Sequence, residues 1–256
     1  MDLRFHVLKI EEKHDPVFVS APHYHSRLGL RTSSQTVPNK KELESFVLKN
    51  TNDIIESSWV STKIVHGNIR QCLDTFINEQ KIDLIIARQT TFKRFGIYSN
   101  DIFKQILLNI SDLPTLLIPE NNSYEPIRKF AYLTDFKQDD FINIQWLKNN
   151  VPNAVIEVLH FSRNFKETPE HHRWIKYLKH EIADTNITFC HKDLTIDEFM
   201  EQESSNTQPD YDCLVLTTHK RNFWQKMADP STVLGFLNEI EAPTLVFKYT
   251  SDKLNT

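Results

Sequence analysis

Tyr211 to Lys248 reads YDCLVLTTHKRNFWQKMADPSTVLGFLNEIEAPTLVFK, and its pattern decides the fold class. Cys213, Leu214, Val215 and Leu216 form an apolar run as long as one buried parallel strand. A polar connector, Thr217 to Asp229, comes next. Val233, Leu234, Leu237 and Ile240 then recur at helical spacing. Asp229-Pro230 suits the start of that helix, because Asp caps free amides and Pro tolerates the first helical position. Ala242-Pro243 precedes a last strand, Thr244 to Phe247. Strand, long connector, helix, strand is the closing βαβ of a doubly wound α/β unit.

The unit occurs twice. Asp83 to Ile118 reads DLIIARQTTFKRFGIYSNDIFKQILLNISDLPTLLI. Asp83 matches Asp212, Asn109 matches Asn238, and Pro114-Thr115-Leu116 matches Pro243-Thr244-Leu245. Each pair lies 129 positions apart (212 minus 83, 238 minus 109, 243 minus 114), with no gap in the stretch. A shared register carrying the same strand and helix pattern marks a tandem repeat.

Both copies resemble the C-terminal half of a universal stress protein domain. That family ends on an Asp-apolar-apolar strand, a Gly-x-x-Gly, nine residues, Gly-Ser/Thr, a helix, and a Pro before the last strand. In the second copy Thr217, Lys220, Pro230 and Ser231 fall on the motif positions; in the first, Arg88, Thr91, Asp101 and Ile102 do. The spacing matches, while the three glycines are replaced in both copies. The resemblance covers most of the chain from Arg128 on, and Leu3 to about Glu120 with an interruption.

It implies two tandem, doubly wound, mostly parallel sheets flanked by helices, of the adenine nucleotide alpha hydrolase type. The first domain is expected over 1–120, with an insertion at about 11–38, and the second over 128–250. The two are expected to pack as an intramolecular pseudo-dimer through Thr115 to Ile118 and Thr244 to Phe247, the last strand of each copy. A homodimer is a further assembly open to such a chain.

Along the chain, strands are expected over Met1–Ile10, Trp59–Val65, Lys129–Asp135, Ala154–Phe161 and Asn186–His191. Helices are expected over Lys40–Asn52, Asn68–Gln80, Asp139–Asn149 and Glu170–Ile182. Thr195-x-x-Glu198 is a capping box opening a short helix to about Glu203. The first copy lacks the strand and helix that Lys129 to Asn150 supply in the second. In the family that strand is central, in the order 3-2-1-4-5. Three explanations stand open: a start upstream of Met1, a patch from a partner, or a different layout. The truncated start is the favoured one.

Composition narrows the function. At 256 residues and 30.2 kDa the chain holds two domains of ordinary size. A formal charge of −4 and a pI near 6.3 give no sequence-independent pull toward nucleic acid or an anionic membrane. There is no apolar run of membrane-spanning length and no basic-then-apolar leader. Cys72, Cys190 and Cys213 are widely spaced, without Cys-x-x-Cys, as buried thiols in a reducing cytoplasm would be.

In nucleotide-binding members of the family, the glycine connector and the Ser/Thr hold the phosphates, and the Asp ending the first strand lies near the adenosine. By resemblance the nucleotide positions are Asp135, Thr217, His219, Lys220, Arg221, Pro230 and Ser231 in the second copy, with Arg88, Thr91 and Asp101 in the first. Asp135 and Ser231 are kept. Pro230 has no amide hydrogen, and Asp229 puts a carboxylate where phosphate charge would sit; in the first copy Asn100 and Asp101 stand at the matching positions and raise the same objection. Only Gly29, Gly67, Gly96 and Gly235 occur, against a usual share of about 7 %. A backbone phosphate cradle is therefore not expected, nor any resident cofactor.

The alternative ligand is ATP or another adenine nucleotide, held by side-chain cations such as Lys220, Arg221, Lys226, Lys93 and Arg94. No nucleophile elbow or Walker lysine appears, so no catalytic residue is assigned and an enzyme is not expected. His23, His25, His160, His171, His172, His191 and His219 have no metal-ligand spacing, and no metal site is assigned. Asp139-Asp140 and Asp210-x-Asp212 read as a helix start and a strand edge. Trp59, Trp146, Trp174 and Trp224 read as core or interface anchors. Phe223-Trp224, inside a polar connector, could cover a pocket or meet a protein partner. The resulting reading is a cytoplasmic stress-response protein that acts by binding, with nucleotide binding and scaffolding as the alternatives.

Overall fold

The computed structural model describes residues 4–11, 41, 44–45, 60–89, 93–94, 97–98, 113–119, 126–134, 136–163, 166–182, 186–205, 210–218 and 242–248. The chain divides into two compact units, Met1–Gln80 and Lys81–Thr256. The expected insertion and the helix expected around Val233–Ile240 lie outside the described residues.

In the first unit β1 (Phe5–Glu11) and β2 (Val60–His66) pair in parallel from Phe5↔Val60 to Glu11↔His66. Helix α1 (Ile69–Gln80) follows. Asn68 caps it, its side-chain oxygen accepting from the amides of Arg70 and Gln71 at 3.0 and 3.4 Å. Leu73 and Phe76, three apart on one face, are its buried residues. Lys41, Glu44 and Ser45 are helical, inside the helix expected over Lys40–Asn52.

The second unit is built on one seven-stranded sheet. Its strands are β3 (Ile85–Gln89), β6 (Thr115–Pro119), β7 (Lys129–Leu133), β8 (Val155–Phe161), β9 (Ile187–Lys192), β10 (Cys213–Thr218) and β11 (Thr244–Lys248). They lie in the order β3-β6-β11-β10-β7-β8-β9. Five of them, β9-β8-β7-β10-β11, give the expected order 3-2-1-4-5, and all are parallel. Helices α2 (Gln138–Asn150), α3 (Pro169–Ile182) and α4 (Ile196–Ser205) connect them. A short antiparallel ribbon, β4 (Lys93–Arg94) with β5 (Ile97–Tyr98), stands in the first connector, where the sequence carries no strand signal.

Strands from both of the stretches that match in sequence, 83–118 and 212–247, thus share one sheet, because β11 pairs with β6. This is its one antiparallel contact among the described residues. Leu245 faces Leu116, its own counterpart 129 positions earlier (245 minus 116). On either side Val246 faces Thr115 and Thr244 faces Leu117, so the register is self-complementary, as at a local two-fold axis. Two further details recur at the same spacing. Ile85 donates its amide to the Pro114 carbonyl at 3.0 Å, and Leu214 donates to Pro243 at 2.9 Å. The hydroxyl of Thr115 reaches the Leu113 carbonyl at 3.4 Å, as that of Thr244 reaches Ala242 at 3.2 Å.

The boundary between compact units falls after Gln80, whereas the repeat boundary read from sequence lies between 120 and 128. The two boundaries measure different things. The pairing of β6 with β11 holds β3 and β6 in the seven-stranded sheet, while β1 and β2 form a sheet of their own. On the outer edge of β3 there is no partner strand among the described residues.

One face of the sheet carries Phe130, Tyr132, Cys213, Val215, Leu245 and Phe247, which pack with Ile144 and Leu147 of α2 and with Leu178 and Ile182 of α3. Fully burying an aliphatic side chain of this size is worth roughly 1.5–3 kcal/mol. Trp146 lies edge-on to Phe247 at 5.4 Å, anchoring α2 over the last strand. At the other end of the sheet the Asp212 carboxylate accepts from the amides of Arg128 and Lys129, both at 2.8 Å, and fixes where β7 begins. The expected capping box holds: Thr195 donates its amide to the Glu198 carboxylate at 2.8 Å and its hydroxyl accepts the Glu198 amide at 3.3 Å. The Thr195 amide first, and the Arg163 guanidinium next, hold that carboxyl below its usual range.

Cys213 is buried and burial pushes its thiol up to about 12, while Cys72 and Cys190 are half-buried. A thiol reagent at neutral pH is therefore expected to modify Cys72 and Cys190 in the native chain and Cys213 only on unfolding. Peptide mapping of the labelled protein reads this directly, and equal rates at all three would contradict the placement of β10.

Candidate functional site

From β7 the chain winds outward through β8 and β9, then crosses to β10 on the other side of β7. The carboxyl ends of β7 and β10 therefore border the crevice where ligands of open α/β sheets bind. Thr217 closes β10 there, and Tyr132, Leu133 and Thr134 close β7.

These ends are tied by buried side chains. The Tyr132 hydroxyl donates to Asp140 Oδ1 at 2.9 Å. With its one proton so used, it accepts from the Thr217 hydroxyl, also at 2.9 Å. Thr217 in turn accepts from the Asn143 amide at 2.9 Å. A directional chain thus runs from Asn143 through Thr217 and Tyr132 to a carboxylate. The other carboxylate oxygen, Asp140 Oδ2, accepts from the Thr134 hydroxyl at 2.7 Å and from the Lys137 amide at 2.9 Å.

Asp140 is 1 % exposed, Tyr132 0 % and Thr217 6 %. Three donors on one buried carboxylate offset the cost of removing its charge from water. Asp140 also stands in the first turn of α2, where the helix dipole favours a negative charge. Burial first, and the charge of Asp140 next, hold the Tyr132 hydroxyl well above its usual range, so it stays a neutral donor.

Above the network, rings occupy the carboxyl ends of β7, β8 and β9. Phe136 takes a left-handed backbone, φ 58°, unusual for a non-glycine residue. Its ring stacks on His171 at 4.4 Å and lies 4.5 Å from His160, 5.2 Å from Trp174 and 5.6 Å from Phe189. Two hydrogen bonds pin the loop beneath: His160 Nδ1 with the Thr134 carbonyl at 3.0 Å, and the Trp174 indole to the Lys137 carbonyl at 3.2 Å. His191 packs against His160 at 6.0 Å and reaches the Ser162 carbonyl at 2.9 Å. Two histidines, from β8 and α3, thus meet at one ring, and a third from β9 packs on His160, a grouping no local spacing announces. Among the described residues no group of His, Cys, Asp and Glu is arranged to hold a metal ion.

Of the residues singled out by sequence, Thr217 lies at the crevice with its side chain turned inward. Arg88 lies on β3, its backbone opposite Ile118, away from that crevice. Asp135, His219, Lys220, Arg221, Pro230, Ser231, Thr91 and Asp101 lie outside the described residues. Phe223 and Trp224 do as well. Tyr132, Asp140 and Asn143 were not legible as site residues. Asp140 reads as a helix start, which it also is, and nothing local marks a strand tyrosine as its donor.

Thr217→Gly, which places the motif glycine at this position, is expected to destabilise the chain by about 1–3 kcal/mol, because Tyr132 and Asn143 lose a buried partner. Thr217→Val should show a loss of the same order, which urea unfolding would read as a lower midpoint. Tyr132 adds a pH signature. Its unfolded hydroxyl ionises near pH 10 while the folded one keeps its proton, so its contribution is present below about pH 10 and declines as pH rises beyond it. Tyr132→Phe should flatten that part of the alkaline decline.

No family model matches the sequence, and no curated protein matches it. Solved structures do. A universal stress protein from Archaeoglobus fulgidus DSM 4304 superposes with a TM-score of 0.56 at 11 % identity, covering 98 % of this chain and 88 % of that one. A functionally unknown protein from Pseudomonas aeruginosa PAO1 gives 0.55 at 15 % identity, over 95 % and 92 %. A provisionally assigned universal stress protein from Pseudomonas aeruginosa UCBPP-PA14 gives 0.55 at 14 % identity, over the same shares. The mostly parallel sheet, its strand order and its flanking helices make this the α/β fold of the universal stress proteins.

Proposed function

We propose that the chain is a universal-stress-type protein of two joined copies of one α/β unit, acting in the cytoplasm by binding and not by catalysis. The duplication is supported by the 129-residue register, by the two hydrogen bonds that recur at that spacing, and by the self-complementary pairing of β6 with β11. An intramolecular pseudo-dimer is the assembly such a seam implies. No helix among the described residues is long and apolar enough to cross a membrane.

One observation carries the reading of the site: the Thr217 hydroxyl is hydrogen-bonded into the network of Tyr132, Asn143 and Asp140. This position has a glycine in nucleotide-binding members. Here it carries a side chain committed to holding β10 against α2, and the neighbouring Asp140 charge is already met by three donors. The described residues therefore fit a family-type nucleotide poorly, and a protein partner is the expected ligand.

Thermal unfolding with and without millimolar ATP, ADP or AMP and Mg²⁺ tests this. A nucleotide at about a hundred times its dissociation constant would add roughly 2.7 kcal/mol. No shift is expected. A clear shift lost on Lys220→Ala with Arg221→Ala would overturn the reading in favour of a nucleotide site built from side-chain cations.

A further inference from the structure

The helix that brings His171 to the ring cluster opens on a cap that only a neutral imidazole can complete. Thr168 precedes α3, and its carbonyl accepts the His172 amide at 3.0 Å, starting the first turn. The Thr168 hydroxyl accepts the His171 amide at 3.2 Å, and His171 Nδ1 in return accepts the Thr168 amide at 3.3 Å. This reciprocal pair is a capping box, whose third helical position ordinarily holds Glu or Gln. Here a histidine holds it.

A backbone amide can only donate, so His171 Nδ1 carries a lone pair and the ring proton lies on Nε2. The other two histidines of the cluster differ. His160 Nδ1 and His191 Nε2 meet the carbonyls of Thr134 and Ser162, which can only accept, so both rings donate and can keep these bonds when charged. His171 keeps its bond only while neutral. A charged His171 would also stand in the first turn of α3, where the helix dipole disfavours a cation. It would lie 6.1 Å from His160, with His191 behind that ring. Charged groups at the ends of the neighbouring elements are Lys137 after β7, Arg163 after β8, which pairs with Glu198, and Lys192 and Asp193 at the end of β9. Its own segment carries Lys166, Glu170, Arg173 and the pair of Glu167 with His172 at 3.1 Å. That pair gains when His172 is protonated, but it lies in water and is worth little.

We propose that the first turn of α3 is a proton-operated latch on the ring cluster: neutral His171 closes the capping box with its ring stacked on Phe136, and protonation breaks that arrangement. A cationic ring is still attracted to the face of Phe136. With Nδ1 protonated, however, it points a donor at the Thr168 amide, so stack and box no longer persist together. Phe136 is sensitive to the change, because its left-handed backbone, φ 58°, must be held by the contacts around it. The contribution of the box is therefore present above the range in which imidazole ordinarily titrates, about pH 5–8, and is lost as pH falls through it. The loosened turn borders the carboxyl ends of β7 and β8. The inference rests on the direction of these hydrogen bonds, and not on whether the crevice takes a ligand.

Nuclear magnetic resonance of the nitrogen-labelled full chain tests it. At about pH 8 the His171 ring is expected as the Nε2–H tautomer, read from its ring nitrogen shifts. On acidification the Thr168 amide signal should move in step with the His171 ring. Exchange of that amide, corrected for its intrinsic rate, should quicken by about fivefold. His171→Gln keeps an acceptor that does not titrate, at a position where Gln is ordinary, and should hold the Thr168 amide unchanged across the same range. His172→Gln should leave the transition as it is. An Nδ1–H tautomer at the alkaline end, a Thr168 amide that does not follow His171, or a transition that survives His171→Gln would overturn the proposal.

Discussion

The antiparallel pairing of β6 with β11 is the constraint on which the second unit depends. A terminal strand of a parallel sheet leaves a row of amides and carbonyls without partners, a liability that a domain must cover or pair. Here two such edges satisfy each other, with Leu116 facing Leu245 and the flanking pairs exchanged across them. Self-complementarity of this kind needs the same short sequence on both sides, and Pro-Thr-Leu occurs on both. Once the seam is set, the order of the remaining strands follows. β10 must lie inside β11, β7 inside β10, and the crossover from β9 back to β10 opens the crevice at their carboxyl ends.

What fills the rim of that crevice is a hydrogen-bond chain that few single substitutions could leave intact. Asn143, Thr217, Tyr132 and Asp140 come from two strands and one helix, and each group uses its neighbour's remaining capacity. Such networks stabilise when complete and are costly when one member is lost. A glycine at 217 would free space beside β10, but it would also strand two buried polar groups. The packing that holds α2 against the sheet and the chemistry available at the crevice are therefore set by the same atoms.

Much of this architecture was legible in the residues. The apolar run of β10, the stripe of α3 and the capping box at Thr195 are local patterns, and local patterns are what a sequence displays. The network was not legible, because its members are 85 positions apart (Tyr132 and Thr217) and joined only by strand order. The ring cluster was hidden for the same reason: His160, His171 and His191 sit on three elements, and each alone reads as a loop or edge histidine. The ribbon at Lys93–Arg94 and Ile97–Tyr98 was missed because two-residue strands carry no periodicity. The division after Gln80 reflects which strands the pairing of β6 with β11 recruits, whereas sequence marks where a repeat would end.

On the repeat reading the two stretches match at the seam and differ elsewhere, and the difference has a physical sense. Residues that meet across the seam are bound by their own counterparts, so a change in one copy must suit the other. Residues away from it are not. Val215 and Ile86 began as equivalent positions on the repeat reading, yet one is sealed under α2 and the other stands half in water.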